Sequence, residues 1–437
     1  MNLCFKYPII YWNCACLQIN SGGIGSGTDY DKLAAAMGKM IKAGIQISLP
    51  NINTSQLEFK PDAKNNTILY GLKGITNIGD NIIFKIIENR PYISPKDFIQ
   101  KINPTKTVMI NLIKSGAFDD MIERKILMGW YIWEICDRKK ELNLRNLQML
   151  LQNNLLPNTE EFKQQSKIFY FNKFLKANYK INNKYNDCYC LNEKAINFLI
   201  ENNFENLIYQ RQEEFLLNIK EWDKIYQQKM DLFRKYIKEN QQELLKEVNN
   251  KAFLEEWKKY AQGNYSKWEL DSVCFYFHEH ELANINFDKY GLSKFDQLPE
   301  EPEINNTFYR GGKLIKMYKL SKICGTCIAK KKDKGLVTLL TPQGVVVIKF
   351  PKEYFSIFDK QVSAIQPDGS KKIVERSWFN RGNMIIVQGY RNGDNFIPKK
   401  YASSGGHQLY KIDKIDELGN IILRVERAQG EIKEDDL

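Results

Sequence analysis

The chain has 437 residues, of which 43% are apolar and 27% are charged, and its mean hydropathy is -0.47. This composition supports packed cores over about three domains and excludes a disordered or fibrous chain. No stretch approaches about 18 uncharged apolar residues, so no transmembrane helix and no membrane partner are expected. The apolar N-terminal stretch contains Pro8, Asn13 and Gln18, so we expect no export signal.

The net charge of +12 is unevenly distributed along the chain. Residues 307–437 contain 24 Lys and Arg against 14 Asp and Glu, whereas residues 1–306 contain 40 against 38. A strongly basic C-terminal region predicts a polyanionic partner, most simply nucleic acid, and the alternative is a surface that only maintains solubility. Nine scattered cysteines favour reduced thiols and a cytoplasmic location.

Residues 1–48 are predicted to be helical, with an interruption at the glycine-rich segment 21–28. A phosphate-binding loop needs a preceding strand and a following Gly-Lys-Ser/Thr, and the segment has neither, so we interpret it as a connector. Asp29 and Asp31 resemble a metal-binding carboxylate pair. Their place at the start of a predicted helix indicates that they favour the helix dipole instead.

Residues 70–87 contain the sharpest local motif. A short apolar turn leads into Ile75-Thr-Asn-Ile-Gly79, and an amphipathic helix is predicted to begin at Asp80. Gly79 lets a phosphate approach the backbone, where amides at the helix N-terminus bind it whatever the base sequence. Asn77 tolerates a positive φ and can stand where a glycine is expected. The pattern predicts a helix-hairpin-helix motif, with ordinary helix packing as the alternative. Its predicted DNA-binding residues are Lys73, Gly74, Thr76, Asn77, Gly79 and Lys85.

Residues 122–290 show apolar residues at helical spacing among charged ones, which predicts helices. His278 and His280 lack the further residues of a metal-ligand set, so we expect them to be structural. An acidic, proline-containing linker over residues 296–306 then separates the helical part from the basic part.

From Leu314 onward the pattern becomes strand-like. Five short β-branched or aromatic runs are separated by turn sequences, which predicts a small barrel, and the basic charge favours an OB-fold. Cys324 and Cys327 form a CxxC pair inside one of these runs, and we expect them to pack in a strand. Basic loop residues and aromatic side chains would bind the oligonucleotide. The predicted DNA-binding residues of the barrel are Lys330, Lys331, Lys332, Lys334, Lys349, Lys352, Trp378, Arg381, Tyr390, Arg391, Lys399 and Lys400.

Several segments, taken in order, resemble the bacterial replicative DNA polymerase III alpha subunit, a family C DNA polymerase. Residues 7–8 resemble the end of that family's fingers, and Gly71-Leu-Lys-Gly-Ile-Thr-Asn-Ile-Gly79 is similar to its hairpin, with Asn77 in place of the first glycine. The other similar segments are residues 44–50, 51–59, 112–119 and 272–282. The match is weak over about 122–265.

The resemblance implies a DNA-directed DNA polymerase, a nucleotidyltransferase of DNA replication, whose palm holds two metal ions on three acidic residues. It also implies that the cytoplasm is that of a bacterial or phage-infected cell. The palm precedes the fingers in this family, so no residue of this chain is assigned as catalytic or metal-binding. We expect no cofactor in this chain, and Mg²⁺ in the palm of the full polymerase. The family also carries a short clamp-binding peptide, and residues 228–233 are similar to it, although their helical spacing favours a buried helix face.

The sequence therefore predicts a multidomain α+β chain, mainly helical in its N-terminal and middle parts, with a C-terminal OB-fold barrel. The expected function is the DNA-binding C-terminal part of a DNA polymerase III alpha subunit, and the alternative is a stand-alone nucleic-acid-binding protein. Expected partners are duplex and single-stranded DNA, a palm-bearing polymerase portion and a sliding clamp. The predicted domains are 1–60 (end of fingers and connector), 61–121 (helix-hairpin-helix), 122–295 (helical), 296–306 (linker), 307–430 (OB-fold) and 431–437 (acidic tail that competes with DNA).

Overall fold

The computed structural model describes residues 7–181, 187–365, 370–402, 406–416 and 418–428. The chain forms two compact units, of which the first comprises Met1–Tyr131 with Ala261–Leu437 and the second comprises Ile132–Tyr260. The expected acidic tail, residues 431–437, lies outside the described residues. Within the described residues, no helix is both long and apolar enough to span a lipid bilayer.

The N-terminal part of the first unit is mainly helical. Its helices are α1 (Ile9–Ser21), α2 (Tyr30–Lys42), α3 (Asp80–Glu88), α4 (Pro95–Ile102), α5 (Lys106–Lys114) and α6 (Arg124–Ile135), the last of which continues into the second unit. The strands β1 (Gln46–Ile47), β2 (Lys60–Asp62) and β3 (Thr67–Leu69) form a small sheet in the order β1-β3-β2. A short 3-10 turn, Leu72–Gly74, connects this sheet to the segment before α3.

Local sequence signals explain where the helices of this part begin and end. The Asp29 side chain accepts a hydrogen bond from the Lys32 amide, so Asp29 caps α2 as its position predicted. Ser94 caps α4 through the Asp97 amide, and α4 ends at Asn103, which has a left-handed conformation. The apolar faces of the helices meet in a core that includes Phe98, whose ring lies 5.2 Å from that of Phe118.

The C-terminal part of the first unit contains a closed five-stranded barrel. Its strands are β9 (Ser321–Lys331), β10 (Leu336–Thr341), β11 (Gly344–Lys349), β14 (Met384–Asn392) and β15 (Asn395–Pro398), with helix α15 (Lys352–Asp359) between β11 and β14. They pair in the closed order β9-β10-β11-β15-β14-β9, in which only the β11–β15 pairing is parallel. This arrangement is consistent with an OB-like fold, so the expected fold class is confirmed.

Alternating apolar side chains of the barrel strands fill its interior. Val337 and Leu339 of β10 face this core, as do Val346 and Ile348 of β11, and all four are buried. Phe295 also joins the core, although it precedes the expected boundary of the barrel at residue 307. The segment before the barrel therefore helps to complete its packing.

Further strands and helices surround the barrel. Strands β7 (Ile304–Arg310) and β8 (Lys313–Tyr318) form a separate hairpin, as do β12 (Val362–Ile365) and β13 (Lys371–Glu375). Strands β16 (Leu409–Ile415) and β17 (Ile421–Arg424) extend the barrel sheet from β14. Helices α13 (Tyr265–Val273) and α14 (Phe287–Tyr290) precede the barrel in the chain.

The second unit is mainly helical, with a small sheet that the helical prediction did not include. Its helices are α7 (Leu147–Gln152), α8 (Glu160–Ile181), α9 (Glu193–Glu201), α10 (Ile219–Lys229), α11 (Asp231–Glu239) and α12 (Gln241–Tyr260). Strands β4 (Cys188–Cys190), β5 (Ile208–Arg211) and β6 (Glu214–Asn218) pair in the order β4-β6-β5. Met230 and Phe233 have no exposed surface and join its core. Met230 and Phe233 therefore pack inward, as their helical spacing favoured, whereas Gln228, Lys229 and Asp231 of the segment similar to a clamp-binding peptide are exposed.

Candidate nucleic-acid interface

The turn before α3 has the backbone conformation that the hairpin motif predicts. Asn77 is exposed and has a φ of 58°, so it occupies the left-handed region in place of a glycine. Gly79 is exposed immediately before α3, and a Cβ atom added to it would meet no atom within 4 Å. The surface beside Gly79 is therefore open to an approaching phosphate.

The residues on the N-terminal side of Asn77 are turned inward. The Lys73 ammonium group forms an ion pair with Asp80, and both side chains are largely buried. A Cβ atom on Gly74 would clash with the ring of Tyr70, so this glycine serves close packing. The Thr76 hydroxyl donates to the Asp271 carbonyl at 3.0 Å, which ties the turn to α13. Lys73, Gly74 and Thr76 thus stabilise the hairpin from within.

Asp80 occupies the N-terminus of α3, where the helix dipole favours a negative charge. Its carboxylate accepts a hydrogen bond from the Gly25 amide at 2.9 Å. This bond and the bond from Lys73 lower the pKa of Asp80. The glycine-rich segment, interpreted from the sequence as a connector, therefore contacts the hairpin through its backbone.

Lys85 lies in the second half of α3 and is exposed. Its ammonium group donates to the carbonyl of Ile102 at 2.7 Å. Since Ile102 ends α4, Lys85 satisfies a carbonyl at a helix C-terminus, where a positive charge is favoured. The two lysines expected to bind DNA at the hairpin are therefore both engaged in internal contacts.

The barrel presents a short basic row on its outer surface. Lys331 of β9 and Lys349 of β11 both pair with Leu336 of β10 in register, so the three side chains share one face. Both lysines are exposed, and Leu336 between them is partly exposed. Lys334, in the turn between β9 and β10, is also exposed. Lys331 ends the first barrel strand, β9, and Lys334 lies in the loop after it, whereas Leu336 and Lys349 lie on the second and third strands, β10 and β11. OB-folds bind oligonucleotides through this loop and on the face of their second and third strands.

Lys330 near the end of β9 and Lys332 in the following loop are both held by Asp359 at the end of α15. Lys330 donates to Asp359 at 2.6 Å and also bonds Ser377 and Asn380, while Lys332 lies 3.2 Å from Asp359. Burial acts to raise the pKa of Asp359, but these hydrogen bonds outweigh burial and lower it. Lys330 is therefore primarily a structural cation, whereas the side chain of Lys332 remains mostly exposed.

Four predicted residues of the barrel have internal contacts, although Arg381 is still exposed. Trp378 has no exposed surface, and its indole N–H donates to Glu375, so in this structure it cannot stack on a base. Arg381 donates to the Cys274 sulfur at 2.9 Å and forms an ion pair with Asp31. Arg391 donates to the Leu298 carbonyl at 2.9 Å and forms an ion pair with Glu300. The ring of Tyr390 is packed 4.7 Å from that of Tyr318. The three remaining predicted residues, Lys352, Lys399 and Lys400, are exposed.

Part of the outer barrel surface is covered by the chain itself. Helix α2 packs against it so closely that a Cβ atom on Gly38 would clash with the Val345 side chain. The His280 ring contacts the Leu340 carbonyl of β10 at 2.8 Å. The exposed basic row lies toward the opposite end of β10, because Leu336 begins that strand. The surface open to a ligand is therefore smaller than a complete OB face.

The candidate metal-binding residues are structural in this fold. His280 is buried, His278 bonds the buried Glu269 at 2.6 Å, and Cys324 and Cys327 are buried in β9. Burial raises the pKa of both thiols to about 12. Over the described ranges, no three His, Cys, Asp or Glu residues lie close enough to hold a metal ion.

The protein-family model of the helix-hairpin-helix motif matches residues 44–127 of this chain. The chain therefore carries a helix-hairpin-helix motif, and the matched residues include the turn described above.

Comparison with curated proteins identifies DNA polymerases as relatives. The probable DNA polymerase YorL of Bacillus subtilis is 36% identical over 98% of this chain and 34% of its own length, and the DNA-directed DNA polymerase of Bacillus phage SPbeta gives the same values. The DNA polymerase III subunit alpha of Mycobacterium leprae is 33% identical over 26% of this chain and 10% of its own length.

The chain is thus a homologue of these bacterial and phage DNA polymerases, and the expected relationship to the DNA polymerase III alpha subunit is confirmed. It spans about a third of the length of the first two relatives.

Proposed function

We propose that this chain is the DNA-holding portion of a replicative DNA polymerase. The helix-hairpin-helix region binds the duplex, and the OB-like barrel binds the single-stranded template. The observation that carries the proposal is an OB strand order with an exposed basic row in a chain homologous to DNA polymerases over 98% of its length. A role in handling DNA accounts for the concentration of basic residues in the C-terminal region.

The hairpin binds duplex DNA mainly through its backbone. Asn77 and Gly79 are its exposed turn residues, and α3 begins directly after them. Amides at the N-terminus of α3 donate to a phosphate, and the helix dipole adds to the attraction. Such contacts position the duplex without reading its sequence, as a polymerase requires.

The barrel binds the template through charge and a small apolar surface. Lys331 and Lys349 flank Leu336 across three neighbouring strands, and Lys334 extends the positive surface into the loop. The lysines neutralise successive phosphates, while Leu336 contacts a base or sugar between them. Binding of this kind releases counterions, so affinity falls steeply with added salt.

Catalysis belongs to a separate, palm-bearing portion in this proposal. The described residues bring no three potential metal ligands together, so none of them is assigned to the Mg²⁺ ions of phosphoryl transfer. This chain contributes by holding the primer–template, which positions the primer end for the reaction.

Fluorescence anisotropy with the full chain tests the proposal. Labelled single-stranded and duplex DNA should both bind, with affinities that decline as salt is added. A palm-bearing polypeptide should give longer primer-extension products when this chain is present. This chain alone should extend no primer. Absence of DNA binding at low salt would refute the proposal. Binding without any effect on the palm-bearing polypeptide would favour the stand-alone alternative.

A further inference from the structure

The hairpin β7–β8 precedes the barrel and is exposed on both of its faces. The side chain of Tyr309 is 76% exposed, and those of Leu314 and Phe308 are 49% and 41% exposed. Tyr309 pairs with Leu314 on one face, while Phe308 lies on the other face with Ile315. An isolated two-stranded ribbon is marginally stable in water, and clustered exposed apolar groups indicate a binding surface.

The hairpin is also uniformly basic. Residues 304–319 contain four Lys or Arg and no Asp or Glu. Arg310 and Lys313 lie directly opposite each other at the tip, where two like charges destabilise a strand pair. Lys316 lies opposite Thr307, further from the tip. A bound polyanion would relieve the repulsion at the tip, whereas a second copy of the same hairpin would increase it.

The geometry of the hairpin is fixed at both ends. Gly311 and Gly312 have φ values of 58° and 76°, the conformation of a tight two-residue turn that matches the twist of the strands. At the base, the Tyr318 amide donates to the Tyr401 hydroxyl at 2.8 Å. The Tyr318 ring packs against Tyr390, two residues before the end of β14, and the β14–β15 turn follows directly. This turn is the second loop with which OB-folds hold oligonucleotides.

We propose that β7–β8 is a single-stranded DNA-binding arm of the barrel. By strand alternation, Lys316 shares the face of Tyr309, whereas Arg310 and Lys313 lie at the tip on the other face. Tyr309 stacks on an unpaired base, Lys316 binds a phosphate on the same face, and the strand continues over the tip, where Arg310 and Lys313 bind further phosphates. The combination of cations and an exposed aromatic ring on a ribbon fits an unstacked strand, because a duplex hides the faces of its bases. This inference rests on the proposed function, since it extends the surface with which the barrel holds its template.

The test uses the full chain and an oligonucleotide long enough to reach from the barrel to the hairpin. The variant Arg310→Gln/Lys313→Gln/Lys316→Gln should reduce the salt slope for single-stranded DNA by about two units, at about 0.7 per phosphate contact. Tyr309→Ala should weaken binding roughly 5- to 150-fold with little change in slope, and Tyr309→Phe should retain the parental affinity. Because these side chains are exposed, all variants should keep the parental melting temperature.

A matched control is Lys220→Gln/Lys235→Gln/Lys238→Gln, which removes the same charge from exposed positions of the second unit. Relative to the parent, this control should reduce the salt slope by less than the arm variant does. If the parent binds no single-stranded DNA, the proposed function itself fails. If the parent binds but the arm variants match the control, or lose only duplex binding, the arm inference is wrong and the proposed function stands. A change in oligomeric state with DNA binding intact would likewise overturn the arm inference, because the hairpin would then contact protein.

Discussion

The hairpin region and the barrel place their basic side chains in opposite ways. At the hairpin, Lys73 is buried against Asp80 and Lys85 bonds a helix carbonyl, so the exposed elements are the backbone at Asn77 and Gly79. On the barrel, Lys331 and its neighbours extend from a sheet whose interior is already filled. The comparison teaches that the hairpin region exposes backbone while the barrel exposes charged side chains. The proposed function assigns phosphate binding to backbone amides in the first region and to lysines in the second. Four predictions test this difference, from the largest expected effect to the smallest.

Removing the buried cation of the hairpin should have the largest effect on stability. Lys73→Met leaves Asp80 without its ion-pair partner, although Asp80 keeps the bond from Gly25. Breaking a largely buried pair costs about 3 kcal/mol of unfolding free energy. Urea denaturation measures this loss. The double variant Lys73→Met/Asp80→Asn should recover part of it, because no charge is then left unpaired.

The contrasting substitution on the barrel is Lys331→Met. Its side chain is exposed, so the unfolding free energy should change by less than about 0.5 kcal/mol. Equal effects at Lys73 and Lys331 would contradict the division between an inward hairpin cation and outward barrel cations.

His280, which lies against the covered part of the barrel surface, should make the unfolding free energy depend on pH. Burial lowers the pKa of His280 to about 4, below its ordinary value of 6.5. As the pH falls, His280 is protonated in the unfolded chain before it is protonated in the folded one, which favours unfolding. The contribution of neutral His280 to the unfolding free energy is therefore complete above pH 6.5 and is lost as the pH falls toward 4. The lost contribution is at most about 3 kcal/mol. Nδ1 of His280 accepts from the Leu282 amide at 3.0 Å, which agrees with a neutral ring.

Denaturation of the parent and of His280→Gln at pH 7 and pH 4.5 isolates this contribution. The variant should be less stable at pH 7 and should lose less stability on acidification. Carboxylates whose pKa values are lowered, such as Asp80 and Asp359, act equally in both proteins. Parallel pH profiles for the two proteins would show that His280 does not titrate on unfolding.

The exposed row of the barrel should control the salt dependence of template binding. Lys331→Gln/Lys334→Gln/Lys349→Gln should reduce the slope of log affinity against log salt by about two units for single-stranded DNA. Anisotropy titrations between 50 and roughly 300 mM salt measure the slope. Lys330 is kept in this variant, because its bonds to Asp359 and Ser377 support the fold. An unchanged slope would remove the row from the binding surface.

The smallest expected effect on DNA binding is the loss of one backbone contact at the hairpin. Gly79→Val should weaken duplex binding by about 1 kcal/mol, roughly fivefold, because its side chain fills the space that a phosphate would enter. The loss should be the same for unrelated duplex sequences. Since Gly79 has a negative φ and open surroundings, the melting temperature should not change. A loss that depends on the duplex sequence would argue against phosphate contact.

The amino-acid sequence by itself determined the local features of this protein. The turn chemistry at Asn77, the start of α3 at Asp80 and the five barrel strands all follow from short-range patterns, because backbone preferences and apolar periodicity act over a few residues. The hairpin β7–β8 was also within reach, since Gly311-Gly312 between alternating residues is a recognised turn signal, but neither of its strands was among the five predicted runs.

Only the tertiary structure decided which charged and aromatic residues are available to a ligand. By sequence alone, Lys73, Lys330 and Arg391 are as good candidates for binding DNA as Lys331 and Lys349. In the fold, however, the first three have internal partners, which are Asp80, Asp359 and the Leu298 carbonyl. Apart from Asp80, these partners are 29 or more residues away in the chain, and no local pattern indicates them. Trp378 is buried for the same reason, because the packing of α15 and the barrel closes over its ring. Long-range contacts therefore separate binding residues from supporting ones.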